Sequence, residues 1–205
     1  MSICRVFNAV WSELRTALSV RRFTPRTMAD HLRAAGAHVG DDCFIVPDSV
    51  GDEPYLVRIG NHVAIADGVL FLTHDPATWV LRGAVPGIRD FGPIVVEDNC
   101  FIGQRAILYP HVRIGANSVV AAGSVVVNDV PPGSLVVGVP ARPFGSLTRY
   151  REKCIARWAS QRPLGAQLEN TETWWNSRHF KTNRELLRRH LLCLFSAQLS
   201  DGRES

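Results

Sequence analysis

Apolar residues return every sixth position through the middle of the chain. From Val96 the sequence divides into VEDNCF, IGQRAI, LYPHVR, IGANSV, VAAGSV and VVNDVP, each opening on Val, Ile or Leu with a small or β-branched residue in fifth place. The same frame appears earlier in VGDDCF and IVPDSV from Val39, and in IGNHVA and IADGVL from Ile59. A period of six is the signature of a parallel β-helix, with one hexad on each face of a three-sided prism and three hexads per coil. The expected class is therefore mainly β, a left-handed parallel β-helix, against the usual right-handed crossover rule. The first residue of each hexad points into the prism. The Gly or Ala beside it is expected to make the corner, where backbone angles are demanding. The ends of such a prism are open sheet edges, so N- and C-terminal capping helices are expected.

Helical spacing flanks the repeats on both sides. Val6, Val10, Leu14 and Leu18 form a stripe over residues 5–20, and a second helix is expected from about Pro25 to Ala35, with Gly36 ending it. After the solenoid, LTRYREKCIARW (147–158) reads as a capping helix. NRELLRRHLLCLFSAQ (183–198) is amphipathic, with Leu187, Leu191, Leu194 and Phe195 expected to pack on a neighbour. The chain thus divides into an N-terminal helical segment (1–38), a β-helix domain (39–145) and a C-terminal helical extension (146–205). Gly51-Asp-Glu-Pro54 interrupts the repeats briefly. A longer excursion, 71–95, carries Pro76, Pro86 and Pro93 and is a loop rather than a coil. Loops of that length inside a compact domain are usually functional.

Charge narrows the partners. The formal net charge is +4, but residues 34–140 hold five basic and eleven acidic groups, so the solenoid is acidic and the flanks are basic. A nucleic-acid binder more often concentrates basic charge on its folded body. The basic flanks are either solvated helices or a peripheral contact with an anionic membrane surface. No run approaches the ~18 apolar residues of a membrane span. Arg5, Glu13 and Arg15 break the apolar run near the N-terminus, so this stretch is not expected to be a signal peptide. The five cysteines form no CxxC, and Cys43 and Cys100 occupy inward-facing fifth positions. Buried free thiols in a reducing cytoplasm are expected.

The excursion contains Thr73-His74-Asp75, and His74 is the strongest catalytic candidate. It lies in a long loop beside a solenoid face, and an imidazole titrating near ~6.5 can take a proton from a hydroxyl at neutral pH. Asp75 is adjacent, but sequence neighbours rarely face each other, so it either caps the loop or binds substrate. His62 sits fourth in its hexad, facing solvent or a neighbouring subunit. His111 occupies an outward corner.

PYLVRIGNHVAIADGVLFLTHD from Pro54, WVLR, and PIVVEDNCFIGQRAILYPHVRIGANSVVAAGSVVVNDVPPGSLVVGVPAR resemble the hexapeptide-repeat O-acetyltransferases over roughly residues 35–145. The THD loop with its preceding PYL is most similar to the branch associated with capsule and polysaccharide O-acetylation. The resemblance implies a metal-free, acetyl-CoA-dependent transfer in a homotrimer, with active sites between subunits and His74 as general base on a sugar or glycan hydroxyl. It places Gly103, Gln104, Ala121, Ala122 and Arg142 at the cofactor. Asp75, Tyr55, Asp48 and Trp79 become candidate acceptor contacts. The chain departs from many relatives at Phe101, where they carry Trp, and at Val127-Asn128, where they carry Thr-Lys. It also lacks a secure match to the acceptor-binding Asn of the sugar enzymes.

Several rivals share the prism. A γ-class carbonic anhydrase needs three histidines around zinc, and His62, His74 and His111 lie in different contexts. Serine acetyltransferase needs a large helical N-terminal domain. A xenobiotic O-acetyltransferase that modifies an antibiotic is the main enzymatic alternative, and a non-catalytic scaffold is the alternative of another class.

Overall fold

The computed structural model describes residues 25–47, 49–161 and 180–196. The helix expected over 5–20, Trp174-Trp175 and the candidate Asp48 lie outside the described residues. The chain forms two compact units, 1–149 and 150–205.

The first unit is a three-sided solenoid of short strands: β1 (His38–Val39), β2 (Phe44–Ile45), β3 (Val57–Ile59), β4 (Ala64–Ile65), β5 (Leu70–Phe71), β6 (Ile94–Val96), β7 (Phe101–Ile102), β8 (Ile107–Leu108), β9 (Arg113–Ile114), β10 (Val119–Val120), β11 (Val125–Val126), β12 (Ser134–Val137) and β13 (Arg142–Ser146). The first face stacks β1-β3-β6-β9, the second β2-β4-β7-β10-β12-β13, and the third β5-β8-β11. Every pairing is parallel except β12 with β13.

A two-residue strand has one side chain in and one out, which is why hexads suffice. Val39, Ile59, Val96 and Ile114 stack inside the first face, Ile45, Ile65, Ile102, Val120 and Val136 inside the second, and Phe71, Leu108 and Val126 inside the third; all are buried. Each such side chain contributes about 1.5–3 kcal/mol by leaving water. The outward partners differ by face. The first presents His38, Arg58, Val95 and Arg113; the second Phe44, Ala64, Phe101, Val119 and Leu135; the third Leu70, Ile107 and Val125.

The corners correct one expectation. Second-place glycines are there for space rather than for backbone angles. A Cβ on Gly40 would sit 2.6 Å from the Gly60 carbonyl carbon, and one on Gly103 would strike the Ala121-Ala122 backbone of the next coil. The left-handed backbone falls instead at the fourth place, on Asp42, His62, Asn99 and Asn117 at one corner, with φ between 54° and 58°. Asp and Asn tolerate that region because their short polar side chains find local hydrogen bonds. Here the bonds run from coil to coil: His62 Nδ1 lies 2.8 Å from Asn99 Oδ1, and Asn99 Nδ2 donates to Asn117 Oδ1 at 2.7 Å. Fifth-place side chains tie the coils from within. Cys43 donates to the Gly60 carbonyl at 3.2 Å, Cys100 to Gly115 at 3.3 Å and Ser118 to Pro131 at 3.1 Å.

Helix α1 (Pro25–Ala34) precedes the first coil. Its Met28, Ala29 and Leu32 are buried in the same core as Val39, Cys43 and Ile45. The Ala37 N–H closes the helix end on the Leu32 carbonyl at 3.0 Å, and Gly36 takes φ +105°. At the far end the open edge of β12 is taken by antiparallel β13. Helix α2 (Leu147–Gln161), expected as a cap, has no buried residue. In the second unit, α3 (Phe180–Leu194) begins earlier than its apolar stripe indicated; Leu187 and Leu191 are half-buried and Leu194 is exposed.

Candidate active site

The third corner, between the third face and the first, gathers polar chemistry from successive coils. The short interruption in the first coil places Glu53 there, just ahead of a 3-10 turn, Pro54–Leu56. The second coil places Thr73 and His74 directly above it. Thr73 is 1% exposed, and its hydroxyl donates to Glu53 Oε2 at 2.5 Å while accepting from the Glu53 N–H at 3.3 Å. The same carboxylate oxygen lies 3.0 Å from His74 Nδ1. Hydrogen bonds from Thr73 and then His74 hold the Glu53 carboxyl below the usual carboxylate range. An ionised carboxylate only accepts, so Nδ1 carries the proton and Nε2 presents its lone pair. The other side of the ring meets Phe91 edge-on, with centroids 5.8 Å apart. His74 is therefore held by both a charge and a ring. A base with an accessible lone pair and its orienting carboxylate are two of the three parts of a general-base machine, the third being the hydroxyl that gives up its proton.

The loop that carries His74 is closed at its neck. The Gly92 N–H donates to the Thr73 carbonyl at 3.0 Å and the Asp75 N–H to the Asp90 carbonyl at 2.9 Å, with His74 opposite Phe91. The third coil clamps this neck through His111, whose Nε2 lies 3.1 Å from Asp90 Oδ1. Its imidazole leaves no room above Gly92, where a Cβ would come within 2.6 Å of the ring. His111 is thus a corner residue that holds the loop, a contact invisible in the hexad frame.

Asp75 caps the loop helix. Its side chain accepts from the Ala77 N–H at 2.8 Å and starts a 3-10 helix, Pro76–Leu81. Trp79 is 69% exposed on that helix, with the Arg82 guanidinium 4.6 Å from its ring centroid. Tyr55 is exposed on the turn after Glu53. Gly51 and Leu72 border a groove of about 360 Å³ along the neighbouring corner, with Gly68, Leu70 and Phe71.

The four candidates Gly103, Gln104, Ala121 and Ala122 do come together, because β7 and β10 pair in register and the Gly123 N–H donates to the Gln104 carbonyl at 2.8 Å. They occupy the corner between the second and third faces. His74 lies at the other edge of the third face, so within one chain Leu70, Ile107 and Val125 separate the base from this cluster. Arg142 is exposed on β13, opposite Val137. Glu53, the residue sequence reasoning missed, sits twenty residues before Thr73. That is also the register between the first two coils, where Phe44 pairs with Ala64. Counting one coil back from Thr73, the neighbour of the loop histidine, finds it.

The model of the bacterial transferase hexapeptide family (six repeats) matches residues 93–128. Protein CapG of Staphylococcus aureus is 45% identical over 129 residues, 62% of this chain and 75% of the relative. The galactoside O-acetyltransferase of Escherichia coli K12 is 37% identical over 106 residues, 51% of each chain. A hexapeptide-repeat acetyltransferase of Vibrio cholerae, solved with acetyl-coenzyme A, is 29% identical over 60% of this chain and 86% of that one, with a TM-score of 0.42. This chain belongs to the hexapeptide-repeat acetyltransferase family and is an acyltransferase.

Proposed function

We propose that the chain transfers an acetyl group from acetyl-CoA to a hydroxyl of a sugar or polysaccharide precursor, with His74 as general base. The observation that carries this reading is the Glu53–His74 pair, which fixes the tautomer and leaves Nε2 free of hydrogen-bond partners among the described residues. The acceptor oxygen attacks the thioester carbonyl carbon while its proton passes to Nε2. The tetrahedral oxyanion collapses, the carbon–sulfur bond breaks, and the thiolate takes the proton from the imidazolium. Glu53 stabilises that imidazolium. The acceptor class rests on the similarity to the galactoside O-acetyltransferase, and Tyr55 and Trp79 stand exposed to meet an acceptor.

The assembly is a homotrimer of left-handed prisms. Two of the three outer faces carry apolar rows, from Phe44 to Leu135 and from Leu70 to Val125, while the first carries His38, Arg58 and Arg113. A cyclic trimer uses two different faces of each subunit and leaves one to solvent. Such packing brings a second prism beside the third face, between His74 and the cluster at Gly103 and Ala122, where acetyl-CoA runs in this reading. Light scattering of the purified chain tests the trimer. The protein works in the cytoplasm, and its basic flanks touch an anionic membrane surface. Equal sedimentation with anionic and neutral vesicles removes the membrane contact.

The test of function is thiol release from acetyl-CoA over a panel of sugars, glycan precursors and hydroxylated antibiotics, beside His74→Ala. Turnover with a sugar, reduced about 10²–10⁴-fold in the variant while CoA still binds, supports the reading. Turnover with an antibiotic alone redirects it to a xenobiotic enzyme. Absence of both turnover and CoA binding makes the chain a scaffold.

A further inference from the structure

Between Asp75 and Asp90 the loop reads PATWVLRGAVPGIR, with two cations and no anion. The flanking aspartates are engaged elsewhere, Asp75 with the Ala77 N–H and Asp90 with the His111 ring. Arg89 donates only to the carbonyl of its own neighbour, Ile88, at 3.1 Å. Arg82 has no carboxylate partner among the described residues, and its Nε is shielded from water without an acceptor. Buried donors without acceptors are uncommon and point to an absent partner.

Arg82 is also a fixed cation. A 3-10 turn eclipses side chains three residues apart, and Arg82 accordingly lies over Trp79, 4.6 Å from the ring centroid, with its own N–H bonded to the Trp79 carbonyl. The setting favours a specific anion over a general basic patch, because residues 34–140 carry eleven acidic groups against five basic, and Arg82 and Arg89 are two of those five. The rest of the solenoid carries three arginines against those eleven acids, so its net charge is negative. The guanidinium fork takes a carboxylate or phosphate through two parallel hydrogen bonds, and the exposed Trp79 ring beside it supplies an apolar face to a sugar.

We propose that Trp79 and Arg82 bind an anionic group of the acceptor, with Arg89 adding charge, so that the glycan acetylated is an acidic one bearing a carboxylate or a phosphate. This rests on the function proposed above and adds the chemical class of the acceptor.

The experiment compares matched acceptors: a neutral hexose oligosaccharide, its uronic-acid counterpart and a phosphorylated counterpart. Binding is measured by calorimetry to the His74→Ala protein, and kcat/KM with the unaltered chain. Arg82→Gln is compared with Arg58→Gln, an exposed arginine on the first face. The expected result is about tenfold preference for an anionic member, the scale of one charge-assisted contact. That preference falls to near one in Arg82→Gln, persists in Arg58→Gln and shrinks with added salt. The uronate and phosphate arms tell which group is read. Equal binding of neutral and anionic members overturns the proposal. So does an Arg82→Gln effect that appears only in the KM for acetyl-CoA, which assigns the arginine to the cofactor phosphates. Anionic preference in binding without turnover of any acceptor keeps the anion site and removes the transferase reading, so the two fail separately.

Discussion

Replacing Glu53 by glutamine separates charge from shape at the base. The amide keeps the volume and can still accept from His74 Nδ1, but it no longer stabilises a positive ring. The two side chains are 15% and 31% exposed, sheltered without being dry. A hydrogen bond to a charged group contributes about 1.5–3 kcal/mol, and a neutral one roughly half of that or less. With the partial shelter, the difference felt by the imidazolium in the transition state is about 2 kcal/mol, or roughly thirtyfold in kcat at ~1.4 kcal/mol per tenfold. Steady-state thiol release at saturating acetyl-CoA and acceptor reads this directly. Under the proposed function the KM for acetyl-CoA stays near its original value, because the Glu53 carboxylate bonds only Thr73 and His74 among the described residues. Stability gives a second reading with a definite sign. The Glu53 carboxyl is held low by Thr73 and His74, so its stabilisation is present above the unfolded value, ~4.3, and is lost as pH falls through the lower folded value. The Tm gap between the native chain and Glu53→Gln therefore holds from neutral pH down to ~4.3 and closes only as pH falls from there through the lower folded value. A Glu53→Gln enzyme within twofold of the native kcat, beside an inactive His74→Ala, would refute the orienting role.

Gly92→Ala sets a methyl against the His111 ring and loosens the neck; kcat falls about tenfold or more, since small displacements of a base cost large factors, and thiol-release kinetics with hydrogen exchange at residues 73–75 check it. Asn99→Ala cuts both links of the corner ladder and puts Ala at φ 55°; about 1–2 kcal/mol is lost, seen as a lower Tm, while Asn99→Gly recovers part because glycine takes that backbone freely. Burial pushes the Cys43 and Cys100 thiols up; at pH 8 alkylation followed by mass spectrometry labels exposed Cys193 and spares those two until the chain unfolds.

The hexads made the solenoid legible because an inward residue every six positions leaves few other ways to bury Val39, Ile45 and their successors. They also placed the fifth-position cysteines and set aside 71–95 as a loop, though its ends, Phe71 and Ile94-Val95, are strand residues of β5 and β6. What they hid was stacking between coils of unequal length. The first two coils are offset by twenty residues, since Phe44 pairs with Ala64, and the next two by thirty-seven, since Ala64 pairs with Phe101. Glu53 meets Thr73, and His111 meets Asp90, only once those offsets are known. The role of glycine was misread for a similar reason: the crowding at Gly40 and Gly103 comes from the coil above, which a single hexad does not contain.

The neck of the loop has an evolutionary consequence. The chain leaves the prism at Thr73 and returns at Gly92 through paired backbone, so entry and exit are neighbours whatever lies between them. The fourteen residues of the tip can lengthen, shorten or be exchanged without shifting the register of β6 on β3. The tip is thereby a plug-in cassette on an unchanging spool, and under the proposed function it is where acceptor choice would be set. New sequences can be sampled at the tip while the Glu53–His74 pair and the stacked coils beneath it are inherited intact.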